Sequence, residues 1–173
     1  MAEDAPGAKA WKEHTSAFDR VRSVVETASQ PRSASEIANE ALVAENTART
    51  HLNRLTDMHV LVELDRDGTT LYTPDPLYQR AQTIRELLDE YDHEGLIELK
   101  EDLLEQIEAW ERSFHVTSPE GLRERAAQAD QVDQTKEIRT AASDWELVVH
   151  RLSIVEDAIK NYATYSRDTR ALA

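Results

Sequence analysis

The segment VLVELDRDGTTLYT, Val60 to Thr73, interrupts the helical spacing that apolar residues keep along the rest of the chain. Two short β-type runs, Val60–Leu64 and Thr69–Thr73, flank the turn signal Asp65–Gly68, and Pro74-Asp75-Pro76 closes the unit. Such runs around an Asp-Gly dipeptide predict a hairpin. The chain therefore reads as mainly α with one small β-hairpin. It divides into three regions: a flexible, acidic and Ala-rich N-terminal arm over residues 1–13, a domain over 14–75 that ends in the hairpin, and a helical domain over 76–173.

Ahead of the hairpin the pattern predicts a helix from about Thr15 to Ser29, with Phe18, Val21, Val25 and Ala28 on one face. Ser33 and Glu36 have the S-x-x-E spacing of a capping box and open a short helix through Ile37 and Ala41. A turn at Leu42 and Val43 leads to ENTARTHLNRL, Glu45 to Leu55. Its apolar residues, Ala48, Leu52 and Leu55, are four and three apart, which is one narrow buried stripe on a helix. The wet face carries Asn46, Thr47, Arg49, Thr50, Asn53 and Arg54, side chains that reach phosphates and base edges.

Helix, short helix, turn, polar helix and hairpin is the order of a winged helix-turn-helix. Over residues 15–75, SASEIANEALVAENTARTHLNRLTDMHVLVEL in particular, the chain resembles the winged helix-turn-helix domain of ArsR-like and related haloarchaeal transcriptional regulators. The resemblance implies a DNA-binding regulator whose recognition helix, about 45–57, enters the major groove by its N-terminal half. Asn46 and Thr47 would lead, with Arg49, Thr50 and Asn53 one turn on. Arg forks onto guanine and Asn onto adenine. Arg54 lies toward a phosphate, and Arg66 at the hairpin tip toward the backbone or the minor groove. Arg20, Arg22 and Arg32 are further phosphate candidates. Two positions depart from the family pattern. Ala44 stands where a Ser or Thr usually caps the helix. His59 stands where Gly usually comes next, and His tolerates the left-handed turn at some cost.

Beyond Pro76 the pattern is helical throughout, with a break near Gly95 and a helix start at Pro119. A last helix is expected over about Asp133–Arg167. In it Ile138, Trp145, Leu152 and Ile159 are seven apart, and Ala141, Val148, Val155 and Tyr162 fill the complementary positions. This a/d register predicts a coiled-coil seam. We expect Ile138, Trp145, Val148, Leu152, Val155, Ile159 and Tyr162 to pair two copies while the same helix packs on the 96–114 segment; a bundle within one chain is the alternative. The helical half would then be a dimerisation domain, and the operator would have pseudo-twofold symmetry.

Charge bears on the partner. Among 173 residues, 34 are Asp or Glu and 20 are Lys or Arg, for a net charge of -14. The basic residues are 5 Lys and 15 Arg. Acidity spread along the chain with few Lys resembles proteins of salt-loving archaea, so a halophilic archaeal source is expected, with a mesophilic acidic protein as the alternative. Global charge argues against binding nucleic acid by bulk electrostatics, so contacts would depend on local placement. No run approaches about 18 apolar residues, so no membrane span is expected. The start lacks a basic, apolar leader, and Cys is absent, so a cytoplasmic protein without disulfides or thiolate metal sites is expected. No pair among the six His has the spacing of a zinc helix, and no nucleophile has a catalytic setting. No enzyme, cofactor or metal is expected. Two rivals stand beside the regulator. One is a winged-helix scaffold that binds protein and not DNA. The other is a sensor whose small-molecule effector sits among Trp110, Phe114 and Trp145.

Overall fold

The computed structural model describes residues 6–128 and 132–166. Chain contacts divide it into two units, 1–81 and 82–173. In the first, α1 (Pro6–His14) and α2 (Ala17–Glu26) precede the two-residue strand β1 (Arg32–Ser33). Then come α3 (Ala34–Glu40), α4 (Glu45–Asp57), β2 (Leu61–Arg66) and β3 (Thr69–Pro74). The strands form an antiparallel sheet in the order β1-β3-β2. Helix α5 (Pro76–Glu90) runs across the division between the units. The second unit adds α6 (His93–Phe114), α7 (Pro119–Ala127), α8 (Val132–Lys160) and α9 (Tyr162–Tyr165). The architecture is mostly helical with one small antiparallel sheet.

Local signals explain most boundaries. Ser33 caps α3 in the expected capping box: its hydroxyl accepts from Glu36 N at 3.3 Å, and Glu36 returns a carboxylate oxygen to Ser33 N at 2.8 Å. These bonds hold the Glu36 carboxyl below its ordinary pKa. Asp92 caps α6 by accepting from Gly95 N, which is the break expected there. Ser118 caps α7 with Pro119 in the first turn. The hairpin is tighter than its sequence signal. Arg66 pairs directly with Thr69, and only Asp67 (φ 54°) and Gly68 (φ 78°) form the turn. Left-handed conformation at both central residues is the turn whose twist suits a two-residue hairpin.

The end of α4 is a Schellman motif. Val60 N–H donates to Leu55 O and His59 N–H to Thr56 O, each at 2.9 Å, with His59 left-handed at φ 57°. Leu55 and Val60 are both buried, the apolar contact this motif usually has. His59 itself is exposed, so its side chain adds little while its Cβ is strained. His59→Gly should therefore stabilise the fold by about 0.5–1 kcal/mol. The check is a urea titration: a higher midpoint at unchanged slope is expected. An unchanged or lower midpoint would show that the His side chain offsets the strain.

Two expectations are corrected here. The N-terminal arm includes a helix over Pro6–His14, and Trp11 packs against the core of the first unit. An aromatic anchor in an otherwise polar stretch is the cause; residues 1–5 lie outside the described residues. The sheet also gains β1, which pairs Arg32 with Tyr72 and Ser33 with Leu71 on β3. The first core joins Val21, Val24 and Val25 of α2, Ile37 of α3, Leu52 and Leu55 of α4, and Leu61 and Tyr72 of the sheet.

The second unit holds the apolar register of α8 inside one chain. Ile138 and Trp145 are buried with Leu122 and Ala126 of α7, and Ile107, Trp110 and Phe114 of α6 pack against them. Val155 is buried with Leu96 and Leu103 of α6 and with Ile84 and Leu87 of α5; Val148, Leu152, Ile159 and Tyr162 pack half-buried on that cluster. The expected seam between two copies is thus occupied by intrachain partners. An antiparallel neighbour in the same chain fills an a/d stripe as well as a second copy does. Leu147 and Val149, beside the seam, remain exposed. The helix also ends earlier than expected. Asn161 interrupts it, donating its side-chain amide to the Asp157 backbone and carboxylate oxygens, and Arg167 lies outside the described residues.

Candidate nucleic-acid interface

Helix α4 is built with two unlike faces. Ala48, Leu52 and Leu55 have no exposed surface at all. Asn46, Arg49, Thr50, Asn53 and Arg54 are exposed, and Thr47 is half-buried. The buried stripe fixes the rotation of the helix on α2 and α3, so the polar residues have no choice of direction. Ala44 starts the helix without a side-chain cap, as its sequence implies.

The polar face is partly engaged with itself. Thr50 Oγ1 donates to Asn46 O at 2.9 Å. Arg49 reaches back one turn to Glu45, its Nε at 3.1 Å and Nη2 at 2.6 Å from the same carboxylate oxygen. Arg54 lies over the Phe18 ring, 4.8 Å from its centroid. His51 meets the same ring edge-on at 5.6 Å. Phe18 thus steadies two side chains of α4 from α2, and the guanidinium–ring attraction leaves the Arg54 fork edges available. The side-chain amides of Asn46 and Asn53 make no hydrogen bond among the described residues.

Apart from Glu45, which Arg49 holds at the helix start, acids surround this face without entering it. In a chain of net charge -14, residues 46–56 are the longest stretch without a carboxylate side chain. Glu45 and Asp57 close its two ends. Glu63, Asp65 and Asp67 are exposed on the hairpin, and Arg66 sits among them, exposed at the end of β2. Tyr72, buried and paired with Glu63 across the strands, has its phenol pKa raised by burial first and by Glu63 second, with Arg49 opposing.

The other expected phosphate contacts change role. Arg20 is buried, with Nε on Ala41 O at 2.9 Å and Nη1 on Thr15 O at 2.7 Å. It ties α2 to the start of the α3–α4 turn and faces the interior, because unpaired carbonyls there need a donor. Arg22 is held by Glu26 and Tyr78, and Arg32 by Glu40. Sequence reading missed the Glu45–Arg49 pair, although its i,i+4 spacing was visible. It also missed the stacking of Arg54 on Phe18, which depends on how α2 packs. Trp110 and Trp145, expected to wall a pocket, stack on each other with centroids 5.9 Å apart. Trp145 is 1% exposed, so these rings fill the core of the second unit. Among the described residues no helix is long and apolar enough to cross a membrane.

The protein is mainly helical with a small three-stranded antiparallel sheet. The chain belongs to DUF7342, a family of unknown function, whose model matches residues 15–164. No curated protein matches it. Among solved structures it is similar to a transcriptional regulator at 14% identity and a TM-score of 0.35, over 91% of this chain and 92% of that one. Likeness at that level carries no functional weight.

Proposed function

We propose that residues 17–74 are a winged helix-turn-helix that binds double-stranded DNA, and that the chain is a transcriptional regulator. In this reading α3, the turn at Leu42 and Val43, and α4 are the helix-turn-helix, and β2 and β3 are the wing. The observation that carries it is the α4 face. Asn46, Arg49, Thr50 and Asn53 are exposed along the chain's longest carboxylate-free stretch, over a stripe with no exposed surface. An exposed row of amides, hydroxyl and guanidinium is the chemistry that reads base edges. The proposed role is binding, not catalysis. Two copies on a pseudo-palindromic site are part of the proposal, through a surface other than the α8 register that packs on α6 and α7.

The test is selection from a random duplex pool, followed by titration of the enriched site. Arg49→Ala and Asn53→Ala should each weaken binding to that site by roughly 1–3 kcal/mol. Their circular dichroism should match wild type, because both side chains face solvent. If both variants bind as tightly as wild type, α4 is not the reader. Light scattering of the complex counts the copies bound. The carboxylates of the hairpin favour one rival, a winged-helix module for a basic protein partner. Wild type that enriches no duplex would leave that rival standing.

A further inference from the structure

Glu45 in the first turn suits the helix dipole, yet in the proposed reading it stands at the end of α4 that approaches phosphates. It is the first residue of α4, and a free carboxylate there would be repelled by the DNA backbone. Its geometry suggests a purpose. One oxygen, Oε1, takes both Nε and Nη2 of Arg49, at 3.1 and 2.6 Å. That engages one edge of the guanidinium and leaves the other, Nη1 with the second hydrogen of Nη2, directed away from the carboxylate. A planar fork with one edge held by a carboxylate offers the remaining edge in a fixed plane. Guanine O6 and N7 are the base-edge acceptors that such an edge matches.

We propose that Glu45 is a specificity-determining residue: by holding the Nε–Nη2 edge of Arg49, it sets the free edge on guanine and keeps that guanidinium from settling on a phosphate. The inference rests on the reading of α4 as a DNA-recognition helix. Two effects act together. The pair orients the fork before binding, so less side-chain freedom is lost on a base. It also makes the wrong placement costly, because moving Arg49 to a phosphate brings Glu45 with it. Both side chains are about half exposed, 52% for Arg49 and 46% for Glu45, so in free protein water competes with the pair. Displacing that water on docking is what would strengthen it.

The experiment compares wild type with Glu45→Gln, Glu45→Asp and Arg49→Lys in selection from a random duplex pool at one salt concentration. Affinity for an unselected duplex is titrated in parallel, and circular dichroism follows the fold. Wild type should enrich a guanine at one position of each half-site. In Glu45→Gln that preference should fall by about fivefold or more, while affinity for the unselected duplex holds or rises, since a negative charge has gone. Glu45→Asp keeps the charge at the helix start but shortens the reach, and should lose the preference likewise. Arg49→Lys keeps a cation without a fork and should lose it too. A merely helix-supporting pair would change the melting of the protein and leave base preference alone. If wild type enriches a motif and the Glu45 variants keep its guanine, the inference is overturned and the DNA-binding reading stands. If wild type enriches no motif, both are overturned.

Discussion

Trp145→Ala should cost about 3–5 kcal/mol of stability, the range for deleting a large buried aromatic. Trp145 is 1% exposed and stacked on Trp110, with Leu122, Ala126, Ile138 and Ala142 in the same cluster. A fold stabilised by about 5–15 kcal/mol loses much of its margin to such a cavity. Hydrogen exchange should locate the loss in α6, α7 and α8, with α2 to α4 keeping their protection. The form of the transition carries further information. A core inside one chain unfolds at a midpoint independent of protein concentration. A seam between two copies shifts to higher denaturant as concentration rises. A concentration-dependent midpoint for wild type, lost in Trp145→Ala, would return this tryptophan to an interface between copies.

That contrast shows where the sequence was readable. Signals written within a few residues predicted what the structure has. The Ser33–Glu36 box, the Pro119 helix start, the break before Gly95 and the left-handed His59 are each set by neighbours in the chain. The buried stripe of α4 was legible for the same reason, since three apolar residues at helical spacing leave one solution. What the pattern left open was direction and partner. The period of Ile138, Trp145, Leu152 and Ile159 says that a helix must cover this stripe, and it does not say whose helix. Arg20 looks like any basic residue until α2 is placed beside the Thr15 and Ala41 carbonyls, 5 and 21 residues away in the chain. Strand β1 has two residues, too few to show any period. Trp11, alone in a polar segment, gave no pattern at all. The candidate site divides in the same way. Which residues of α4 face outward was legible, but not that Glu45 and Phe18 hold Arg49 and Arg54.

Salt is where the acidic surface should show its largest effect. A basic DNA reader releases counterions as it neutralises phosphates, and one with several phosphate contacts loses roughly a thousandfold in affinity or more over a few-fold rise in salt. Here residues 10–75 carry seven basic and eleven acidic side chains. Glu63, Asp65 and Asp67 stand exposed on the proposed wing, and Glu45 and Asp57 close the ends of the proposed reading face. Of the arginines in that span, Arg20 is buried and Arg22 and Arg32 are paired, so few remain for phosphates. Docking would bring carboxylates toward the backbone, and cations must be taken up to separate like charges. Affinity for the selected site should therefore hold or rise between moderate and molar KCl. Glu63→Gln combined with Asp67→Asn removes two of the charges that need those cations. That variant should bind more tightly at moderate salt and weaken as KCl rises. Titrations of both proteins across KCl concentrations decide the matter. A steep loss for wild type would mean that Arg49, Arg54 and Arg66 dominate the contact, and that the carboxylates act on solubility alone.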